Sequence, residues 1–428
     1  MTAAAPIARR LRNALTIGLA LQFCLLLAVR CCSAADEQTA ASNFYLRDGD
    51  RVVFYGDSIT EQARYTLPIE TFVRTRCPGL KVSFINSGWS GDRAWGGEGG
   101  MLAERLQRDV IVHRPTVVTV MLGMNDGYYM NYEPQAVAAF KKSLEELVDA
   151  LERELPGVRI TLLGTSPYDN VTPGTPPDWE QGITDGYNSV VARFSAATQD
   201  VAERRGLLFV DMNEPLVQLL QQVQASHPAL ARELIPDRIH PGSAAGLVMA
   251  AQLLTAWQAP AASYSVKIDA ADSAAGVYGA QQELPLPFPL DRDDPLTKVV
   301  VQASPELERL AGTVLRVTRL PHATAAMRLD GQELGIFSAE QFAAGVDVAA
   351  LDMPLARRAA DVAKLVELRN RVQFIRWRKL AATVATGPPP PANQLAEELA
   401  AIERELAALE LAAARPAPHT IEIIATEP

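Results

Sequence analysis

Cysteine and histidine are scarce in this 428-residue chain, and its basic residues are fewer than its acidic ones. It has four cysteines, and three of them, Cys24, Cys31 and Cys32, lie within the first 35 residues. Without that segment only Cys77 remains, so no intrachain disulfide is possible and the fold must rest on a large core. The formal net charge is −10, which argues against nucleic acids and anionic membrane surfaces as partners.

Residues 1–35 differ in composition from the rest and predict a cleaved secretory signal. Three arginines (Arg9, Arg10 and Arg12) precede an apolar run over residues 14–29, and small residues follow at 33–35. This order is typical of signal peptides, and the run is short for a membrane span. We expect a secreted or periplasmic protein with no stable membrane anchor after cleavage; an uncleaved anchor is the alternative.

The stretch RVVFYGDSITE, residues 51–61, predicts a buried strand that ends in a turn and a helix. Its apolar residues are nearly continuous, as in strands that are buried on both faces of a parallel sheet. Gly56 permits a sharp exit from the strand, and Asp57 or Ser58 can cap the helix. Ser58 is therefore expected at the sheet edge where open α/β sheets bind ligands. The stretch alone fits a plain N-cap serine equally well.

Strand-like and helical stretches alternate over residues 36–260, the expected catalytic domain. Further apolar runs occur at 81–85, 116–121, 159–163 and 207–211. The alternation predicts a three-layer α/β/α fold around a five-stranded parallel sheet. The carboxyl ends of parallel strands share one edge, so the loops that contain Gly91 and Asn125 are expected beside Ser58.

His240 is the histidine that the pattern favours for chemistry. The chain has five histidines, and His240 closes the run Asp237-Arg238-Ile239-His240 just before a predicted helix. An aspartate three residues earlier can orient the imidazole Nδ1–H. A metallohydrolase, the rival mechanism, would need clustered ligands, and no other histidine adjoins a carboxylate motif. We therefore predict neither a metal nor a cofactor.

Four short motifs stand in order, each at a predicted strand end or helix start. They are Gly56-Asp57-Ser58, Ser90-Gly91-Asp92, Gly123-Met124-Asn125-Asp126 and Asp237-Arg238-Ile239-His240. Over roughly residues 50–258 the chain thereby resembles the SGNH hydrolase superfamily, also called GDSL esterases and lipases. One such motif is weak, but four in order are specific. The resemblance implies a hydrolase that cleaves carboxylic esters.

The resemblance also implies roles for individual residues. Ser58 would be the nucleophile and His240 the general base, oriented by Asp237. The backbone N–H groups of Ser58 and Gly91 and the side-chain amide of Asn125 would form the oxyanion hole. Ester chemistry agrees with these roles, because a serine needs a base and the tetrahedral oxyanion needs donors.

Five aromatic residues are candidates for the walls of a substrate cleft, because aromatic rings suit sugar faces and acyl chains alike. They are Trp89, Trp95, Tyr128, Tyr168 and Trp179. We expect a serine esterase that deacylates a carbohydrate or a small ester. The alternatives are a lysophospholipase or thioesterase with the same machinery, and a catalytically inactive carbohydrate-binding protein.

Residues 261–428 are expected to form a small β-sandwich-like module with a helical hairpin inserted at about 354–414. Strand-like runs occur at 264–268, 298–301, 313–317, 326–329 and 420–424, with Asp330-Gly331 as a hairpin turn. The first hairpin helix is rich in arginine and the second in glutamate, which predicts that they pair. A leucine seam on the second helix would also suit a dimer contact, so the oligomeric state stays open.

Overall fold

The computed structural model describes residues 43–260, 266–269, 277–351, 353–381 and 390–426. The predicted signal segment and the residues that directly follow the expected domain boundary at 260 lie outside these ranges. Within the described ranges, no helix has both the length and the apolar character needed to cross a membrane.

A five-stranded, all-parallel sheet forms the centre of the first part of the chain, as predicted, in the order β2-β1-β5-β6-β7. The strands of this part are β1 (Arg51–Gly56), β2 (Ser83–Gly88), β3 (Gly96–Gly97), β4 (Gly100–Met101), β5 (Val117–Met121), β6 (Arg159–Leu163) and β7 (Leu208–Val210). Residues 52–56 of β1 and all of β5 are buried, because helices cover both faces of the sheet. The three-layer α/β/α prediction is confirmed.

Helices pack on both faces of this sheet. They are α1 (Ser58–Glu61), α2 (Thr66–Arg76), α3 (Leu102–Asp109), α4 (Pro134–Glu154), α5 (Tyr187–Arg205), α6 (Glu214–Ser226), α7 (Pro228–Leu234) and α8 (Ser243–Ala256), with 3₁₀ turns at Ile111–His113 and Asp178–Glu180. In α4 the side chains of Phe140, Leu144, Leu147, Val148 and Leu151 are buried. Their spacing of three and four residues places them on one face, as the sequence predicted.

The C-terminal region contains two further sheets. Its strands are β8 (Val266–Asp269), β9 (Val277–Leu284), β10 (Val314–Thr318), β11 (Thr324–Leu329), β12 (Gln332–Ser338), β13 (Val346–Asp347) and β14 (Ala417–Ala425). One sheet has the order β13-β10-β8 and the other the order β12-β11-β14-β9. The last strand, β14, lies between β11 and β9, so the end of the chain completes the larger sheet as expected. The predicted turn is also present, since Asp330 and Gly331 both have positive φ angles.

The helices of this region are α9 (Pro295–Ala303), α10 (Pro305–Ala311), α11 (Ala339–Ala344), α12 (Pro354–Phe374) and α13 (Pro390–Ala413), with a 3₁₀ turn at Val348–Ala350. The strand predicted at residues 298–301 is wrong, because these residues lie in α9. Asp294 caps this helix by accepting the Thr297 N–H at 2.7 Å, and a proline occupies its first turn. The short β-branched run alone could not distinguish a buried helix from a strand.

The hairpin helices α12 and α13 pair through opposite charges, as predicted. Arg369 Nε donates to Glu410 Oε1 at 2.9 Å, and Arg376 Nη2, just after the end of α12, donates to Glu403 Oε2 at 3.0 Å. The seam on α13 is only partly covered: Leu406 is buried, whereas Leu395, Ile402 and Leu409 are 43–53% exposed.

The hairpin is also joined to α2 of the first part of the chain. Glu410 Oε2 accepts a hydrogen bond from Arg74 Nε at 3.1 Å, and Arg369 donates to Glu70. All four side chains are buried. Removing one member of a buried ion pair typically costs about 3–5 kcal/mol. The hairpin is therefore anchored on the α/β/α part as well as on itself.

Candidate active site

Ser58 is the first residue of α1, directly after the carboxyl end of β1. Asp57 caps this helix, since its carboxylate accepts the Ile59 N–H at 2.9 Å. The helix lies against the end of β2, where a Cβ on Gly88 would come within 2.1 Å of the Glu61 nitrogen. Only glycine fits there, and the close approach holds Ser58 at the ligand-binding edge of the sheet.

Ser58, His240 and Asp237 form one hydrogen-bonded chain. Ser58 Oγ lies 2.8 Å from His240 Nε2, and His240 Nδ1 lies 2.6 Å from Asp237 Oδ2. A carboxylate only accepts, so the imidazole carries its proton on Nδ1 and can accept one from Ser58 on Nε2. The arrangement is able to take a proton from a serine hydroxyl.

Asp237 is held by the backbone of its own turn. Its Oδ1 accepts the Ile239 N–H at 3.0 Å and the His240 N–H at 2.7 Å. Desolvation acts to raise the pKa of this carboxyl, but hydrogen bonds from His240 and Ile239 outweigh it and hold the pKa below its ordinary value. The carboxylate therefore stays ionised at neutral pH and can accept the hydrogen bond from His240 Nδ1.

The loop after β6 braces the turn that carries His240. Arg238 has a φ of 69°, a conformation uncommon for residues with a side chain. Its C=O accepts the Asp169 N–H at 2.8 Å, and its Nη1 donates to the Asp169 C=O at 2.6 Å. These two bonds between loops fix the position of the imidazole relative to the sheet.

The loop after β2 is anchored on both sides of Gly91. The Ser90 N–H donates to Glu61 Oε2 at 3.0 Å, and Asn125 Nδ2 donates to the Asp92 C=O at 3.0 Å. Gly91 has a φ of 78°, which favours glycine. Its backbone is thus held between α1 and the Asn125 amide, whose second N–H can serve a ligand.

Tyr129 orients the Asn125 amide. The Tyr129 hydroxyl donates to Asn125 Oδ1 at 3.0 Å, so the amide nitrogen must point the other way. The ring packs on Tyr187 and Trp179 at centroid distances of 5.0 and 5.1 Å. Burial raises the pKa of Tyr129 to about 12, so the hydroxyl keeps its proton and remains a donor at neutral pH.

Asp57 and Asp126 are buried carboxyls that hold loop backbone. Asp57 accepts the Ile59 N–H and Asp126 accepts the Ala94 N–H, each at 2.9 Å. Burial raises the pKa of both carboxyls to about 7. These bonds agree with a structural role for the aspartates that adjoin Ser58 and Asn125 in the motifs.

The aromatic residues expected in the cleft fall into two groups. Trp95, Tyr128 and Trp179 are exposed by 39, 50 and 39%, whereas Trp89 and Tyr168 are exposed by only 6 and 1%. The second pair therefore does not line an open surface, which corrects the sequence-based expectation for these two rings.

Arginine side chains pack over the ring of Trp89, and a buried carboxyl binds the hydroxyl of Tyr168. The guanidinium carbons of Arg378 and Arg108 lie 3.3 and 4.7 Å from the Trp89 ring centroid. The Tyr168 hydroxyl donates to Glu180 at 2.6 Å. Arg378 belongs to the C-terminal hairpin, so the sequence near Trp89 carried no sign that its ring would be covered.

Arg93 is a cation beside the site that the sequence analysis missed. Its Nε donates to the Asn125 C=O at 3.0 Å. Its guanidinium carbon lies 4.6 Å from the Tyr128 ring centroid and 5.8 Å from that of Trp95. Its position directly after Ser90-Gly91-Asp92 was a usable signal. Glu61 was missed too, although it lies one helical turn after Ser58.

No group of three or more histidine, cysteine, aspartate or glutamate side chains is placed to hold a metal ion within the described ranges. The groups that surround Ser58 are instead a base, a carboxylate and several N–H donors. Together they are suited to activating a hydroxyl and to binding an oxyanion.

Comparisons with known proteins show which proteins this chain is similar to. Residues 54–245 match the GDSL-like lipase/acylhydrolase family. An acetylxylan esterase from Geobacillus stearothermophilus is 26% identical over 222 residues, which make up 48% of this chain and 93% of the relative. The solved structure of a gut microbial diltiazem-metabolizing enzyme has a TM-score of 0.71 at 24% identity, covering 89% of this chain and 98% of that one.

The likeness to the diltiazem-metabolizing enzyme covers 89% of this chain, so the shared fold extends beyond the α/β/α part into the C-terminal region. The family match begins within β1 and ends within α8, so it includes the carboxyl ends of all five strands of the central sheet. Residues 54–245 therefore form a GDSL-like lipase/acylhydrolase domain of the SGNH hydrolase superfamily, and this domain makes the protein a hydrolase that acts on ester bonds.

Proposed function

We propose that this protein is a serine esterase that removes acyl groups from a carbohydrate or a small ester through an acyl-serine intermediate. The hydrogen-bonded chain from Ser58 Oγ through His240 to Asp237 carries the proposal. His240 lies within hydrogen-bond distance of both Ser58 and Asp237 without rearrangement, and the proposed nucleophile lies at the open edge of the sheet.

In the first half-reaction, Ser58 Oγ attacks the ester carbonyl carbon while its proton passes to His240 Nε2. Asp237 stabilises the imidazolium that forms. The carbonyl oxygen becomes an oxyanion and accepts hydrogen bonds from the backbone N–H groups of Ser58 and Gly91 and from Asn125 Nδ2. Collapse of this intermediate breaks the ester C–O bond, and the departing alcohol takes the proton from His240.

In the second half-reaction, water hydrolyses the acyl-serine. His240 removes a proton from the water as it attacks the acyl carbon, and then returns the proton to Ser58 Oγ. The carboxylic acid leaves and releases its remaining proton to the solvent, and the enzyme regains its starting state. The same base, orienting carboxylate and oxyanion donors serve both steps.

We infer that the substrate is an acetyl ester on a carbohydrate and that the enzyme hydrolyses it outside the cytoplasm. The Geobacillus stearothermophilus relative named above is an acetylxylan esterase. The exposed rings of Trp95, Tyr128 and Trp179 lie on the side of Asn125 and Tyr129, and flat rings suit sugar faces. The predicted signal peptide supports a secreted or periplasmic location.

A panel of esters tests this proposal. Chromogenic esters from acetyl to palmitoyl, acetylated xylan, a lysophospholipid and an acyl thioester are compared at equal enzyme concentration. We expect the highest kcat/KM on acetyl esters and release of acetate from xylan. A preference for long chains, the lysophospholipid or the thioester would contradict the substrate. Carbohydrate binding without hydrolysis of any ester would contradict the catalytic proposal itself.

Asn125→Ala should lower kcat by about 10²–10³-fold with a much smaller change in KM, as the loss of one oxyanion donor typically does. The amide is needed most when negative charge develops on the carbonyl oxygen. Asn125 also donates to the Asp92 C=O, so the melting temperature is measured on the same preparation. A lower melting temperature with unchanged kcat per folded molecule would make Asn125 an architectural residue only.

Tyr129→Phe should lower kcat by about 3- to 10-fold, because the amide oxygen of Asn125 loses the hydrogen bond from Tyr129 that helps to orient it and one hydrogen bond is worth about 0.5–1.5 kcal/mol. Tyr168→Phe is the matched control, since its hydroxyl lies in the same aromatic cluster but donates to Glu180. Steady-state kinetics on an acetyl ester compare the two. Equal losses in both variants would show that only the cluster matters.

A further inference from the structure

The hairpin reaches the active-site loop through an irregular turn. After α12 the chain continues as a π-helix over Ile375–Ala381. Such turns are rare and often lie at functional sites. The family match ends at residue 245, so this segment lies outside the hydrolase domain proper. It nevertheless packs on the loop between β2 and β3, which carries Gly91.

Arg378 in this turn contacts the loop in two ways. Its guanidinium carbon lies 3.3 Å from the Trp89 ring centroid, and its Nε donates to Glu61 Oε1 at 3.2 Å. The other oxygen of Glu61 accepts the Ser90 N–H at 3.0 Å and is also bound by the Ser90 hydroxyl. One carboxylate thus joins the hairpin to the residue before Gly91.

Trp377 makes a second contact in the same place. Its Nε1 donates to Asp109 Oδ1 at 2.6 Å, and its ring meets that of Trp89 edge-on at 5.9 Å. Arg105 links Asp109 to Asp92, with its Nε 2.6 Å from Asp92 Oδ2. The residues before and after Gly91 are therefore both tied to the π-helical turn.

We propose that Arg378 is a positioning residue for ester hydrolysis: through Glu61 and Trp89 it holds the Ser90-Gly91 backbone so that the Gly91 N–H points at the oxyanion. This inference rests on the proposed function of Gly91. The side chains of Arg378 and Glu61 are only 21 and 14% exposed, so solvent screens the pair little. A displaced donor costs rate even when substrate binding is unchanged.

Contacts other than those of Arg378 also attach the hairpin to the rest of the protein. The effect of Arg378 on the Gly91 loop can therefore be tested without detaching the hairpin. The buried cluster of Arg74, Glu70, Arg369 and Glu410 holds α12 and α13 on α2. Losing Arg378 should therefore leave the hairpin in place. Arg376 offers a matched control in the same turn, because its guanidinium binds Glu403 within the hairpin.

The test compares Arg378→Ala, Arg378→Lys and Arg376→Ala in the full-length chain. On an acetyl ester we expect Arg378→Ala to lower kcat about tenfold with KM changed less than twofold, as for a misplaced catalytic group. Arg378→Lys keeps the charge beside Glu61 and should recover part of the loss. Arg376→Ala should match the wild type. Equal losses at positions 376 and 378, or no loss at 378, would overturn the proposal.

Amide hydrogen exchange supplies a readout that needs no substrate. The Ser90 N–H should exchange faster in Arg378→Ala than in the wild type and in Arg376→Ala, because its acceptor Glu61 is no longer held by the hydrogen bond from Arg378. If exchange at residues 89–92 is the same in Arg378→Ala as in the wild type, the proposal that Arg378 positions this loop is wrong, whatever the activity of the variant. If exchange changes as expected but Ser58→Ala retains wild-type activity, the proposed function fails and the structural link stands.

Discussion

Ser58→Ala should reduce kcat for ester hydrolysis by about 10⁶-fold, the loss seen when the nucleophile of a serine hydrolase is removed. The hydroxyl bonds to His240 at the open edge of the sheet, so its loss should barely alter the core. Initial rates on an acetyl ester and the melting temperature are measured on one preparation.

His240→Ala and the double variant Ser58→Ala/His240→Ala complete this experiment. Residues that act as one unit lose activity together, so the double variant should be no worse than either single variant. Additive losses would mean that the two side chains act separately. Activity above a few per cent in folded Ser58→Ala would refute the serine mechanism.

Asp237→Asn should lower kcat/KM by about 10⁴-fold, because it inverts the imidazole tautomer. Asp237 Oδ1 accepts two backbone N–H groups, and only the amide oxygen of an asparagine can take that place. The NH₂ group must then face His240 Nδ1 as a donor. His240 would carry its proton on Nε2, where it cannot accept one from Ser58.

Nitrogen NMR of His240 reports this tautomer directly. We expect protonation at Nδ1 in the resting wild type and at Nε2 in Asp237→Asn, with similar melting temperatures. A loss of less than tenfold, with the wild-type tautomer retained, would limit Asp237 to holding its turn. The backbone N–H groups of Ile239 and His240 allow the asparagine side chain one orientation, so one tautomer of His240 is expected in this variant.

The expected domain division at residue 260 stays a prediction. In the structure, helices from after this boundary pack into the core of the first part of the chain. Apolar residues of α9 and α10, among them Leu296, Val300, Leu307 and Leu310, belong to the same core as the central sheet. A second core unites residues of β9–β14 with α12. The part of the chain after residue 260 thus contributes to both cores, and a truncation there would expose apolar surface of the first.

Local and periodic features determined what the sequence could predict about this protein. The strand, turn and helix over residues 51–61 depend on neighbours in the chain, and alternating apolar runs specify a parallel sheet with its loops at one edge. Because all strands share that edge, Ser58, Asn125 and His240 could be expected together. At residues 298–301 the prediction failed, since capping by Asp294 outweighed β-branched composition.

Tertiary packing alone decided which side chains support the site. Arg378 contacts Trp89 and Glu61 from a hairpin that is anchored on α2 by buried charges far apart in sequence. The orientation of the Asn125 amide depends on a hydroxyl placed by an aromatic cluster. Such contacts depend on the relative placement of whole elements, and no local pattern encodes them, because each is fixed by the sum of many packing interactions.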